Sequence, residues 1–450
     1  MAYVFTRVVR VLRLPQTIRA TAIFIFCVSG AYPLISSAGD ADSIQVVASP
    51  PTAVVGFLPT LSLEMAIRWA TEHNAEIRAA NNEVAASEAA LVQLGARPNP
   101  EVVYSVEDLK KATRTTTLQI NQVLELGGKR SARIAVGERT RDAAAADRTI
   151  KIVDVRASVI TAFFDVLIGQ ERLALADAAL MLAQRGTEIA GRRVAAGKVS
   201  PVEETKARVA QANVKLELVQ AKTDLVTARG RLCATWSADA QCFGIADGRP
   251  ADVPDALPFE NLAALVGSSP SVQRASLEVG RRSALAQVEK TRQTMNVTVS
   301  VGVKRAEDIG RNQALVGLSI PLPLFDRNQG NLLEALRRTD KARDELGATE
   351  DRVRVDLMQA RQQWTGARDA IAVLHEDILP GAQSAYDAAA KGFEFGKFTF
   401  LEVLDVQRTL LQAKTQYLTT LATLHRAHAE IDRLIGTPTA NNKPNGKTFP

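Results

Sequence analysis

A chain of 450 residues with only 5% aromatic side chains and abundant alanine has room for two or three ordinary domains or one very elongated one. It suits helices packed through small side chains better than an aromatic-rich globular core. The formal charge of +6 rests mostly on Arg7, Arg10, Arg13 and Arg19, and the chain beyond them carries +2, which removes the main reason to expect a nucleic-acid partner.

The basic start is followed by the apolar run ATAIFIFCVSGAYPLI and the small residues SSAGDAD, the order of a secretory signal peptide over residues 1–38 with cleavage after Ala38. An N-terminal anchor is the alternative, and Ser29, Gly30 and Pro33 interrupt the span it needs. Lipidation at Cys27 fits poorly, because bulky Phe26 stands where a small residue is required.

Further along comes a helix, AEIRAANNEVAASEAAL from Ala75, and then alternation of period two. Val102, Tyr104 and Val106 precede a polar hairpin tip, EDLKKATRT, and Leu118 and Ile120 come after it, so a strand pair is expected. No proline occurs between Pro100 and Pro201, and the Ala-, Arg-, Leu- and Glu-rich stretch from Lys129 to Ala196 predicts one nearly continuous helix of about 100 Å. It ends at Gly197-Lys198-Val199-Ser200, where glycine can take left-handed geometry. Ser200-Pro201-Val202-Glu203 reads as a capping box with proline at the first helical position.

Cys233 and Cys242 come next, in RLCATWSADAQC. In a secreted chain they are compatible with either a disulfide or two buried thiols.

The same series then returns. PSVQRASLEVGRRSALA from Pro270 resembles the Ala75 segment, 195 positions earlier; LSIPLPLFDRNQG from Leu318 matches LQINQVLELGGKR from Leu118; and GKFTFLEV from Gly396 matches GKVSPVEE from Gly197. Three matches in one order at nearly one offset indicate two copies of one structural unit. In the second copy Val297, Val299, Val301 and Val303 alternate with Asn296, Thr298, Ser300 and Gly302. Val316, Leu318, Ile320 and Leu322 form the next strand, with Pro321 and Pro323 ending its ladder. A helix from Asn331 to Lys391 is expected to break at Pro380. Thr399-Phe400-Leu401-Glu402 reads as a second capping box, and Val403, Val406, Leu410, Ala413, Tyr417, Thr420, Leu424, Ala427, Ile431 and Leu434 step by three and four, a coiled-coil seam.

The mature chain has no apolar run long enough for a membrane helix, so a membrane can be crossed only by strands. Four strands are too few to close a barrel or to satisfy their edges in lipid, so several chains must share one.

The repeated unit, the PLPLFDRNQGN junction, the GKxS/T turns with an acidic residue after them and FLEVLDVQRTLLQAKTQYL resemble the TolC family of outer-membrane efflux channels. PNPEVVYSVED, LELGGKRSARI and both turns are most similar to its Czc-type cobalt-zinc-cadmium subgroup. The resemblance implies a mainly α chain with a membrane β-barrel: a homotrimer whose 12-stranded barrel in outer-membrane lipid continues into a periplasmic coiled-coil α-barrel, in a Gram-negative bacterium. It implies this plan: an N-terminal periplasmic segment at 39–60, first repeat 61–235, equatorial linker 236–259, second repeat 260–436 and flexible tail 437–450. The implied partners are a periplasmic adaptor (membrane fusion) protein and an inner-membrane pump of the resistance-nodulation-division type. Adaptor docking falls on Gly197, Lys198, Val199 and Ser200 with Gly396, Lys397, Phe398 and Thr399, and the carboxylates that close the pore fall on Glu402 and Asp405. Phe398 stands where the family usually has a basic residue.

His425 and His428 stand at i and i+3 of one helix and read as a surface feature rather than a metal site. There is no phosphate loop and no nucleophile–base–orienter cluster, so no cofactor and no catalysis are expected. The implied function is passive export of divalent heavy-metal cations of the cobalt, zinc, cadmium or nickel type. The alternatives are a multidrug or type I secretion channel and, in another class, a periplasmic coiled-coil scaffold.

Overall fold

The computed structural model describes residues 58–108, 110–236, 242–252, 262, 264–395 and 397–436. The expected signal peptide with Cys27, all but the end of the 39–60 segment, much of the 236–259 linker, the 437–450 tail and Gly396 lie outside the described residues.

Chain order begins with β1 (Leu58–Ser62), α1 (Leu63–His73) and α2 (Ala75–Leu94), then the hairpin β2 (Glu101–Glu107) and β3 (Thr115–Leu124). Next come α3 (Lys129–Ala195), α4 (Pro201–Ala234) and β4 (Phe243–Asp247). A helix, a hairpin and long helices then recur as α5 (Pro270–Arg292), β5 (Val297–Ala306), β6 (Arg311–Ser319), α6 (Gln329–Val373), α7 (Leu379–Glu394) and α8 (Phe400–Ile435). No helix among the described residues is long and apolar enough to cross a membrane.

The 67 residues of α3 run about 100 Å at about 1.5 Å per residue. The two long helices that leave the sheet each start from a left-handed residue that turns the chain: Gly128 at φ 73° before α3, Asn328 at φ 58° before α6. Glycine and asparagine are the residues that tolerate this geometry.

Pro380 does not break its helix. A π turn, Leu374–Ile378, joins α6 to α7 with helical backbone throughout, and Pro380 occupies the first turn of α7. The wider turn accommodates a ring that lacks an N–H and clashes with the carbonyl four residues back in an α-helix.

β2, β3, β5 and β6 form one antiparallel sheet in that order, so the two hairpins meet through β3 and β5. The last ladder pair of β6 is Thr298 with Ser319. Ile320 and Leu322 therefore lie past the strand, because Pro321 cannot donate to a ladder and biases the residue before it. A second sheet that the sequence did not announce pairs β1 with β4 in parallel. It covers a core of Leu61, Phe163, Val166, Leu232, Trp236 and Phe243. A separate core gathers Val353, Leu357 and Trp364 of α6 with Leu424, Ile431 and Leu434 of α8.

Candidate functional site

In the four-stranded sheet the two faces have opposite chemistry. Register places Val102, Ile120, Val301 and Val316 side by side across all four strands, with Tyr104, Leu118, Val303 and Ala314 in the adjacent row. All eight are exposed. The opposite face is more polar: it carries the row Ser105, Thr117, Lys304 and Gln313, the mixed row Val103, Gln119, Gly302 and Leu315, and the row Glu101, Asn121, Ser300 and Gly317. A continuous exposed apolar face is a liability in water and a requirement in lipid, while a polar face suits an aqueous lumen. β3 and β5 have 10 residues each, close to the length a tilted strand needs to cross a bilayer. The free edges of β2 and β6 present unpaired backbone groups, which hydrocarbon does not tolerate.

At the far end of the long helices are two tight turns. Gly197 sits at φ 70°; its N–H donates to the Val194 carbonyl at 2.9 Å and that of Lys198 to Arg193 at 2.9 Å, closing α3. Ser200 caps α4, but not as a capping box. Its hydroxyl accepts from the Val202 N–H at 3.4 Å, and the Glu203 N–H is already taken by the Ser200 carbonyl at 2.9 Å. With that donor spent, the reciprocal pair cannot form. In the second turn the box is complete. Thr399 N–H donates to Glu402 Oε2 at 2.6 Å and the Glu402 N–H to the Thr399 hydroxyl at 3.4 Å.

Lys397, Phe398 and Thr399 are exposed, yet Phe398 has a seat. Its ring lies on Gly392, where an added Cβ would come within 2.1 Å of a ring carbon. Lys397 N–H donates to the Gly392 carbonyl at 2.7 Å. The two turns are also tied to each other. Arg193 donates to the Phe393 carbonyl at 2.7 Å and lays its guanidinium 4.1 Å above that ring, over a small core of Ala190, Ala207, Ala389, Phe393 and Val403. Sequence reading missed Arg193, since nothing local separates it from the other arginines of α3.

Glu402 and Asp405 are both exposed on α8. The Thr399 backbone N–H, then its hydroxyl, hold the Glu402 carboxyl below the usual carboxylate range, so it is a charged group with a fixed position. Asp405 stands one turn further on.

The seam on α8 runs as expected, with Val403, Leu410, Ala413, Leu424, Ala427, Ile431 and Leu434 all buried. From Leu418 onward the helix is buried more widely, because α3 and α6 pack against it on two sides. This overturns the surface reading of the histidines: His425 is 2% and His428 6% exposed. His425 stacks on Phe164 with ring centroids 3.4 Å apart, and its Nε2 lies 2.7 Å from the Pro250 carbonyl. His428 Nδ1 lies 3.8 Å from Asp432. Burial lowers both imidazoles, His425 to about 4. Among the described residues no group of three or more His, Cys, Asp or Glu is placed to hold a metal ion.

Cys233 and Cys242 are joined as a disulfide, their Cα atoms 6.0 Å apart. It fastens the end of α4 to the start of β4, beside Trp236 and Phe243 in the same core.

The model of the family described as outer membrane efflux protein matches residues 66–237 and again 262–437. The cobalt-zinc-cadmium resistance protein CzcC of Cupriavidus metallidurans is 46% identical over 376 residues, 84% of this chain and 90% of that protein. The nickel-cobalt-cadmium resistance protein NccC of Alcaligenes xylosoxydans xylosoxydans is 30% identical over 326 residues, 71% of this chain and 70% of that protein. Among solved structures CusC shares the fold, with a TM-score of 0.72 at 17% identity over 85% of this chain and 94% of that one.

Proposed function

The chain belongs to the outer membrane efflux protein family, and from that premise we propose that it is the outer-membrane channel of a resistance-nodulation-division system exporting divalent heavy-metal cations from periplasm to exterior. The cargo assignment is carried by the extent of its likeness to a cobalt-zinc-cadmium resistance protein across nearly the whole of both chains. The channel assignment is supported by a sheet with one apolar and one polar face and two free edges.

Three copies close a 12-stranded barrel, β6 of each meeting β2 of the next, so that no edge is left in lipid. The order helix, hairpin and long helices recurs, and the family model matches twice, which supports reading the chain as two copies of one unit. The paired turns, Gly197 to Ser200 and Gly396 to Thr399, form the periplasmic tips on which an adaptor docks. The Arg193–Phe393 tie makes the two turns one surface rather than two.

Glu402 and Asp405 of three chains gather six carboxylates round the narrow end of the tunnel, where they favour cations and repel anions. Conduction is passive, and the inner-membrane pump supplies the energy. Selection among metals resides in the pump, since an ion passing a ring of carboxylates is sorted by charge rather than by ligand geometry.

Deleting the gene and measuring tolerance to cobalt, zinc, cadmium, nickel and a few drugs tests the cargo. Sensitivity to one or more of these metals is expected, and loss of drug tolerance alone overturns the metal reading. For the pore, Glu402→Gln keeps an amide able to complete the cap while removing the charge. Combined with Asp405→Asn it is expected to lower the cation preference of single channels in planar bilayers. Unchanged conductance and selectivity would remove both residues from the constriction.

A further inference from the structure

Between the last ladder pair of β6, at Ser319, and the start of α6 runs IPLPLFDRN, a segment neither strand nor helix. The alternation of Val316 and Leu318 on the apolar face continues in it through Ile320, Leu322 and Leu324. These side chains are left in the open, Leu322 at 75% and Phe325 at 92% exposure, the latter the most exposed large apolar residue described. At the same end of the sheet the first hairpin leaves Leu124 and Leu126 exposed. The apolar step then ends abruptly at Asp326, Arg327 and Asn328.

The segment's backbone is unusual in the same direction. A strand that runs on past its partner leaves amide donors unpaired, and in hydrocarbon each costs several kcal/mol. Pro321 and Pro323 have no N–H to leave unpaired, and the Leu324 N–H is bonded to the Leu322 carbonyl at 2.9 Å. Half of the donors from 320 to 325 are thus absent or satisfied without a neighbouring strand. The segment is also held at both ends, by the ladder at Ser319 and by Asn328, whose Nδ2 donates to the Glu289 carbonyl at 2.9 Å.

We propose that residues 320–325 are a lipid anchor: an extension of the membrane-facing surface beyond the hydrogen-bonded barrel, embedded among acyl chains of the periplasmic leaflet with Phe325 just beneath the phospholipid headgroups. The proposal rests on the outer-membrane channel reading. Its occupant is lipid rather than a second copy of the chain, because Ile320, Leu322 and Leu324 continue in sequence the alternation of the face that meets the bilayer, Phe325 stands exposed at the bend that follows them, and the paired prolines remove donors that a neighbouring strand would have used. The prolines then serve two ends, stopping the ladder and lowering the cost of placing the stretch beyond it next to hydrocarbon.

Phe325→Trp and, separately, Val316→Trp are introduced into the full-length protein and reconstituted in phospholipid nanodiscs containing phosphatidylcholine brominated either near the headgroup or near the chain end. The unsubstituted protein gives the baseline from its native Trp69, Trp236 and Trp364. The Trp at 325 is expected to lose fluorescence to bromine near the headgroup more than to bromine near the chain end, while the Trp at 316 is quenched by the deeper bromine. Quenching at 316 with none at 325 overturns the anchor and leaves Phe325 covered by a neighbouring copy or by water. Absence of quenching at both positions overturns the channel reading itself, and the anchor with it.

Discussion

At His425 an imidazole is pinned between the Phe164 ring and the Pro250 carbonyl, in a place where gaining a proton is costly. Burial, opposed by that carbonyl and reinforced by nearby His428, brings it from the ordinary 6.5 to about 4. A histidine lowered in the folded state leaves the unfolded chain binding more protons between those values. Stability is therefore full above about pH 6.5 and is lost as the pH falls toward about 4, by on the order of 3 kcal/mol. The thermal midpoint of the detergent-solubilised protein is expected to drop between about pH 7 and about pH 4.5, and His425→Gln to flatten that slope. An equal slope in the variant would place the acid sensitivity elsewhere, with His428 and Asp432 the first to examine. The pair could not be placed from sequence, because the seam of α8 gives one packed face and only the tertiary structure supplies the second. At Glu402 the local pattern of a threonine and a glutamate three residues on forms its box, whereas the same pattern at Ser200 and Glu203 does not.

For the elements, the long helices were the most legible feature. The proline-free stretch from Lys129 onward gave α3 to within a residue of its end, because Ala, Arg, Leu and Glu sustain a helix without outside help. The tips were legible as turns but not in their packing. Gly392 is a helical glycine with nothing local to mark it, and it is small because Phe398 folds back onto it. Gly392→Ala is expected to displace that ring at a local cost of about 1–3 kcal/mol. Hydrogen exchange should quicken at the Lys397 and Phe398 amides while α3 stays unchanged. Equal exchange at the tip would mean the ring moves aside freely. The two cysteines left two options open in the sequence, and proximity across the α4–β4 connection decides between them. The intact mass of the mature protein under non-reducing conditions is expected to be two hydrogens below the reduced value. Replacing both cysteines by alanine is expected to cost about 3 kcal/mol through the lost constraint on the short loop they close.

For the whole molecule, the unsatisfied edges of one sheet are what the proposed assembly has to cover. β2 and β6 each carry a row of unpaired donors and acceptors, so the detergent-extracted protein is expected to give the mass of three chains by native mass spectrometry. A stable monomer in lipid would contradict the shared barrel. The sequence by itself determined the features set by short periods and local chemistry: two strand pairs, helices of unusual length and the left-handed turn at Gly197. It also raised the expectation of a repeat, since similar segments about 200 positions apart need no coordinates to be compared, and the family model matching residues 66–237 and again 262–437 supports it. Only the tertiary structure decided the features that depend on meetings between distant segments. The β1–β4 sheet pairs strands more than 180 positions apart, the histidines are buried by two helices at once, Arg193 reaches across to Phe393, and the π turn absorbs Pro380. Periodicity records which side of an element is apolar, but the partner that covers that side is chosen by packing in three dimensions. IPLPLF shows the limit at one place: its prolines announced that a strand ends, and the exposure of Leu322 and Phe325 showed that its apolar surface does not.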